Sequence, residues 1–185
     1  MNDLVLLALK AEAPGLFQYE NVFEIGVGKV NAAINTATLI ERYKPKRVIN
    51  VGTAGCISSE IKPNGTYKCT HFSQRDVVLG GCVIGPQADE LLAPIVTDTF
   101  GYRVSTGDNF VMDPTGIDAE FVDMEAFAIA KACKMANVEF ICYKHISDMA
   151  DENAKENFQE NVQNGEQDYI NILKMLNVIL VKKEK

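Results

Sequence analysis

A chain of 185 residues, 47% apolar and 23% charged, is long enough to bury one proper core and has the make-up of an ordinary globular protein. A net charge of −7 with no sustained basic run argues against a nucleic-acid partner, and no apolar stretch is long enough to cross a bilayer. Five cysteines (Cys56, Cys69, Cys82, Cys133, Cys142) without a C-x-x-C pair read as reduced thiols of a cytoplasmic protein, not a disulfide frame or zinc site, and Met1-Asn2-Asp3-Leu4 lacks the basic start of a signal peptide.

Residues 3–9 form an unbroken apolar run suited to a strand buried on both faces, broken by Lys10-Ala11-Glu12-Ala13-Pro14-Gly15. Glu12 thus stands at a strand's carboxyl end, where a lone carboxylate is usually a solvated loop residue. Extended residues 21–25 lead into Gly26-Val27-Gly28-Lys29, and residues 30–43 predict a helix with Val30, Ala33, Ile34, Ala37 and Ile40 on its apolar face, ended by Pro45. The glycines do not make a nucleotide loop. Phe23 and Val30 stand where the P-loop pattern needs Gly and Ser or Thr, and Asn31 where the dinucleotide pattern needs a third glycine. A tight strand-to-helix turn accounts for them.

Residues 47–51 read as the next buried strand, entering a small-residue loop, Gly52-Thr53-Ala54-Gly55, whose backbone can approach a ligand closely. Residues 66–72 predict a strand in which His71 is structural, followed by the polar Ser73-Gln74-Arg75-Asp76. Gly80 to Phe100 is assigned to loop, with one helical turn from Asp89 to Leu92. Residues 102–106 predict a strand feeding Gly107-Asp108-Asn109-Phe110-Val111, and residues 138–146 another that delivers Ser147-Asp148. Asn153 is the expected cap of the first of two C-terminal helices, with Asn164-Gly165 between them. The second repeats Ile172, Leu173, Leu176, Ile179 and Leu180 at helical spacing and ends at Lys182-Lys183.

The chemistry gathers where strands hand over to helices, which is where open α/β sheets hold ligands. Phe121-Val122-Asp123-Met124-Glu125-Ala126 passes from an extended to a helical pattern with two carboxylates flanking a methionine. A glutamate in a first helical turn is commonly a mere partner of the helix dipole. The second acidic cluster, Ser147-Asp148-Met149-Ala150-Asp151, also follows a strand and points instead to a site. Alternating strands and helices argue one three-layer α/β domain over residues 1–185.

Six blocks, in order, carry a resemblance: Ala11-Glu12, Gly26-Val27-Gly28-Lys29-Val30, Asn50-Val51-Gly52-Thr53-Ala54-Gly55, Gly107-Asp108-Asn109-Phe110, Val122-Asp123-Met124-Glu125-Ala126 and Ile146-Ser147-Asp148-Met149-Ala150-Asp151. Together they resemble the purine nucleoside phosphorylase and uridine phosphorylase superfamily, and within it the 5′-methylthioadenosine/S-adenosylhomocysteine nucleosidases. The resemblance implies a three-layer α/β/α fold, with a central mixed, twisted sheet flanked by helices, and hydrolysis of a purine nucleoside's N-glycosidic bond. Asp148 matches the acid that protonates purine N7, with Ser147 orienting it; Glu12 matches the group that deprotonates water, and Glu125 the carboxylate on the ribose hydroxyls. Met124 would pack on the ribose face, Phe110 would stack on the base, the backbone at Val111 would read its edge, and Phe158 would form an apolar wall at the 5′ end. Thr53 stands where the family has serine, and Lys144 where the nucleosidases carry arginine. The segment from Asp76 to Gly107 is shorter than theirs.

The resemblance implies a homodimer, a nucleoside substrate and no metal or organic cofactor. The places of the phosphorylases' phosphate-binding arginines read Leu9-Lys10-Ala11-Glu12 and Asn50, which favours water as nucleophile. A phosphate-dependent phosphorylase and a non-catalytic nucleoside-binding protein remain the alternatives.

Overall fold

A computed structural model of the protein describes residues 2–77 and 92–184. Its eight strands are β1 (Asp3–Leu7), β2 (Val22–Glu24), β3 (Arg47–Cys56), β4 (Thr66–Gln74), β5 (Ile95–Val96), β6 (Tyr102–Thr106), β7 (Phe121–Asp123) and β8 (Glu139–Asp148). Among the described residues the helices are α1 (Lys29–Tyr43), α2 (Ala126–Ala136), α3 (Ala154–Asn161) and α4 (Glu166–Met175).

The apolar run of β1 is buried on both faces, as the sequence predicts. Leu4 and Leu6 join the core under α1 and α2, whereas Val5 and Leu7 join a second core with Ile49, Val51, Tyr169 and Leu173 under α4. Helices thus cover both faces of one mixed sheet. β1 lies between β2 and β3, parallel to both, and β8 runs parallel to β3 on its other side. From β8 the sheet continues antiparallel to β4, then parallel to β6 and β7. β7 then returns to β3, pairing antiparallel through Gly55↔Val122 and Cys56↔Phe121. The strands β3, β8, β4, β6 and β7 therefore form a closed ring. Along one edge of β3, β1 pairs only as far as Asn50 and β7 begins only at Gly55, which leaves a gap at the height of Gly52 and Thr53.

Several expectations need correction. Gly52-Thr53-Ala54-Gly55 is not a loop but the second half of β3, paired with β8 throughout. The apolar face expected for α1 is right only in part: Ile40 is buried and Ala33 packs against the core, but Val30 and Ile34 are 67% and 61% exposed, and Ala32 and Thr36 are buried instead. The small Ala32 and Thr36 let α1 lie closely on α2, and small side chains outrank large ones at such a contact. Asn153 stands at the start of α3 but makes no capping side-chain bond; its N–H donates to Asp151 instead. The last helix stops at Met175. Asn177, with φ of 55°, turns the chain, and Ile179, Leu180 and Lys182-Lys183 belong to a tail running back along residues 18–20. Glu20 N–H donates to Val181 O and Lys183 N–H to Gln18 O at 2.7 and 2.9 Å. Within 80–100, Ile95–Val96 is a strand antiparallel to β4; the turn expected from Asp89 to Leu92 falls, but for its last residue, outside the described residues.

Candidate active site

The gap in the edge of β3 is filled by a side chain. After β1 the chain makes a 3-10 turn, Lys10–Glu12, which swings Glu12 back over β3. Glu12 Oε1 accepts the Thr53 N–H at 2.7 Å and the Thr53 hydroxyl at 2.9 Å, and Oε2 accepts the Leu9 N–H at 3.0 Å. The strand N–H that has no neighbouring strand thereby finds its partner, as buried backbone donors must. Gly52 makes room, since a Cβ there would lie 2.9 Å from Glu12 Oε1.

At the β7–α2 junction the two carboxylates divide their tasks. Asp123 is buried and faces inward: Oδ2 accepts the Ala126 N–H at 2.8 Å, satisfying a free donor of the first turn of α2, and Oδ1 accepts the Thr106 hydroxyl at 2.6 Å. Lys144 Nζ lies 2.9 Å from Asp123 Oδ2, both side chains almost fully buried. Burial pulls Lys144 down, but Asp123, Cys142, Glu125 and Glu12 together hold it well above the usual lysine range, so it is charged. Glu125 turns the other way and accepts the Gly28 N–H at 2.9 Å, at the start of α1. Gly28 has φ of +91°, a conformation that suits glycine. Glu125 is pushed up to about 7, chiefly by burial and then by Asp123, against the opposing pull of Lys144 and the Gly28 amide.

The end of β8 supplies a third carboxylate. Asp148 Oδ2 accepts the Ser147 hydroxyl at 2.8 Å and Oδ1 the Ala150 N–H at 3.0 Å. Burial pushes its carboxyl up; these two donors oppose the shift, and Asp151 adds to it. Here too a glycine makes room, because a Cβ at Gly55 would lie 2.7 Å from Asp148 Oδ1. Opposite, the rings of Phe110 and Phe158 meet edge to face at 5.9 Å, bringing the 107–111 loop against α3.

Of the residues to which the resemblance assigns a place in the site, all line this cavity except Lys144, which sits behind it on Asp123. The fork that an arginine would offer is replaced by a single ammonium committed to that carboxylate. Sequence reasoning passed over Arg75, which also lines the cavity. Its guanidinium donates to the carbonyl of Ser105 and to those of Asp123 (2.8 Å), Gly107 (3.1 Å) and Asn109 (2.6 Å). The only signal for it was a charged pair, Arg75-Asp76, directly after a strand. Among the described residues no three His, Cys, Asp or Glu side chains are grouped to hold a metal ion.

The family profile of the phosphorylase superfamily matches residues 19–80 and 82–176. A 5′-methylthioadenosine/S-adenosylhomocysteine nucleosidase of Bacillus thuringiensis (strain Al Hakam) is 32% identical, over 73% of this chain and 70% of its own length. In fold the chain is similar to the Streptococcus pneumoniae MTA/SAH nucleosidase in complex with 8-aminoadenine, with a TM-score of 0.83 at 22% identity, covering 97% of this chain and 100% of that one. It is equally similar to the native futalosine hydrolase of Helicobacter pylori strain 26695, with a TM-score of 0.83 at 20% identity, covering 97% and 98%. Strand order, cavity and sequence matches agree: the chain belongs to the phosphorylase superfamily.

Proposed function

We propose that the protein is a purine nucleosidase, hydrolysing the N-glycosidic bond of an adenine nucleoside such as 5′-methylthioadenosine or S-adenosylhomocysteine to release the free base. The observation that carries this reading is that Glu12, Glu125 and Asp148, from three separate strand ends, face one cavity. Cleaving such a bond leaves a cationic, oxocarbenium-like sugar and a base that departs poorly unless protonated. Asp148, pushed up by burial, is the acid that delivers a proton to purine N7, held by Ser147. Glu12, anchored by Thr53, orients the attacking water and takes its proton. Glu125 binds the ribose hydroxyls and faces the developing positive charge, with Met124 on the ribose face. Phe110 stacks on the base, the backbone at Val111 reads its edge, and Phe158 closes the apolar end. Lys144 acts indirectly, by neutralising Asp123 behind Glu125.

Water is the nucleophile this cavity suits. Arg75 is the one cation among its described lining residues; its two terminal amino groups are taken by main-chain carbonyls, and only its buried Nε–H has no partner among the described residues. A phosphate dianion beside Glu12 would lack the bidentate partner it needs. The test is release of base from adenosine, 5′-methylthioadenosine, S-adenosylhomocysteine and inosine with and without phosphate. Equal adenine release in both conditions is expected; ribose 1-phosphate formed only with phosphate would establish a phosphorylase, and tight binding without turnover a nucleoside-binding protein.

We further infer a homodimer in the cytoplasm. Val27, in the turn before α1, and Val30 and Ile34 on α1 are exposed apolar side chains, and Val27 also lines the cavity. Sedimentation should give twice the chain mass, and Ile34→Glu should give the chain mass alone.

A further inference from the structure

The polar run that ends β4 reaches the cavity from behind, and each of its three members is engaged. Arg75 joins the carbonyl of Asp123, at the end of β7, to those of Gly107 and Asn109, in the loop that carries Phe110. Gln74 and Asp76, on either side, hold Lys29: its Nζ lies 3.3 Å from Gln74 Oε1 and 2.5 Å from Asp76 Oδ1. The other Asp76 oxygen accepts the Asp108 N–H at 2.8 Å, and Asp108 in turn accepts the Lys29 N–H at 2.7 Å. Lys29 follows Gly28, whose N–H holds Glu125.

Three consecutive residues thus tie together three walls of the cavity: the turn into α1, the 107–111 loop, and the β7 end that leads into Met124 and Glu125. The choice of arginine is chemically specific. Only a planar guanidinium offers several fixed, divergent N–H donors to several carbonyls at once; an ammonium offers a point charge. Stability alone does not call for it either. Burial pulls Arg75 below the usual arginine range, no carboxylate among the described residues pairs with it directly, and a well-packed apolar residue commonly serves stability as well as a buried charge does.

We propose that Gln74-Arg75-Asp76 is a positioning clasp that sets the distance between the ribose end of the site, at Glu125, and the base end, at Phe110. The proposal rests on the nucleosidase reading, for which both ends must grip one substrate at once. Arg75 is a positioning residue, its guanidinium directed at the protein's own backbone. A clasp of this kind has a distinctive consequence: it matters for a ligand that spans both ends and little for one that fills a single end, because only the former depends on the two being held in register.

The test compares wild type, Arg75→Lys and Asp76→Asn, measuring affinity for adenine and for 5′-methylthioadenosine by calorimetry, with kcat and KM for the nucleoside. Arg75→Lys should change adenine affinity less than about threefold, while raising the nucleoside KM and lowering kcat each on the order of tenfold. Asp76→Asn, which keeps an acceptor for the Asp108 N–H, should show the same pattern more weakly. Millimolar guanidinium should restore turnover to Arg75→Ala without raising its Tm, a rescue that a purely structural arginine would not show. Equal loss of adenine and nucleoside affinity, or unaltered kinetics in Arg75→Lys, would overturn the clasp. The two readings fail separately. Wild type that binds the nucleoside without cleaving it refutes the nucleosidase while the two affinities still decide the clasp; wild type that binds neither ligand refutes both.

Discussion

The β7–α2 junction and the end of β8 each present a buried carboxylate to the same cavity, and they differ in what stands behind it. Behind Glu125 lies an ion pair, Asp123 with Lys144, so two carboxylates share one ammonium and one negative charge is in excess. Asp148 has only a hydroxyl and a main-chain N–H, with no cation among its contacts in the described residues. The same residue chemistry thus meets two surroundings: Glu125 stands beside an ion pair whose carboxylate raises it and whose ammonium lowers it, whereas Asp148 stands beside no cation among the described residues.

Substitutions can break this contrast. The largest effect is expected for Asp148→Asn, which keeps shape and loses the proton: adenine release should fall by about 10³-fold or more, with Tm unchanged. Next, Lys144→Met should leave Asp123 buried and unpaired, lowering unfolding stability by about 3 kcal/mol or more in urea titration. Glu125→Gln keeps an acceptor for the Gly28 N–H while removing the excess charge, so it should lower turnover by about 10²-fold yet raise Tm near neutral pH.

The pH dependence is set by the signs of the shifts. With its folded value raised to about 7 from 4.5, the Glu125 carboxyl binds more proton folded than unfolded across that window. Wild type should therefore lose stability relative to Glu125→Gln as pH rises from about 4.5 to about 7, with a constant gap above it. For Asp148, also raised, kcat/KM should fall as pH climbs through its value. The smallest effect is expected for Ser147→Ala, which removes one of two donors that favour the ionised carboxylate. It should lower turnover only a few-fold and move that alkaline limb upward.

The carboxylates were legible because strands end in them: apolar runs located β1, β7 and β8, and the residues just after such runs lie at the ligand-bearing edge. The helical period of 30–43 located α1 and Ile40 on its buried face, but the packing turned that face toward Ala32 and Thr36, which allow closer approach than Val30 and Ile34. Gly52 to Gly55 looked like a loop for a related reason. Glycine in a strand is costly unless something occupies the space of its side chain, and here Glu12 and Asp148 occupy it. Nothing local announces that, because both neighbours are distant in sequence. Arg75 was illegible for the same cause: its partners are carbonyls, which every residue carries and no pattern marks. The C-terminal tail kept an apolar spacing of helical period beyond Met175, where pairing beside residues 18–20 supplied its main-chain partners instead.

The closed ring of β3, β8, β4, β6 and β7 bears on how a ligand enters. In an open sheet an end strand can peel away at the cost of one ladder; here β7 and β8, which lead into Glu125 and carry Asp148, and β3, whose Thr53 binds Glu12, are flanked within the ring on both sides. Breathing of the cavity floor is therefore tied to opening of the whole barrel-like unit, and its amides should be among the slowest to exchange with deuterated solvent. The walls outside the ring are the 107–111 loop and α3, whose Phe110 and Phe158 meet edge to face and both line the cavity. Two of the three carboxylates, at the ends of β7 and β8, are thus carried by strands that cannot separate without opening the ring.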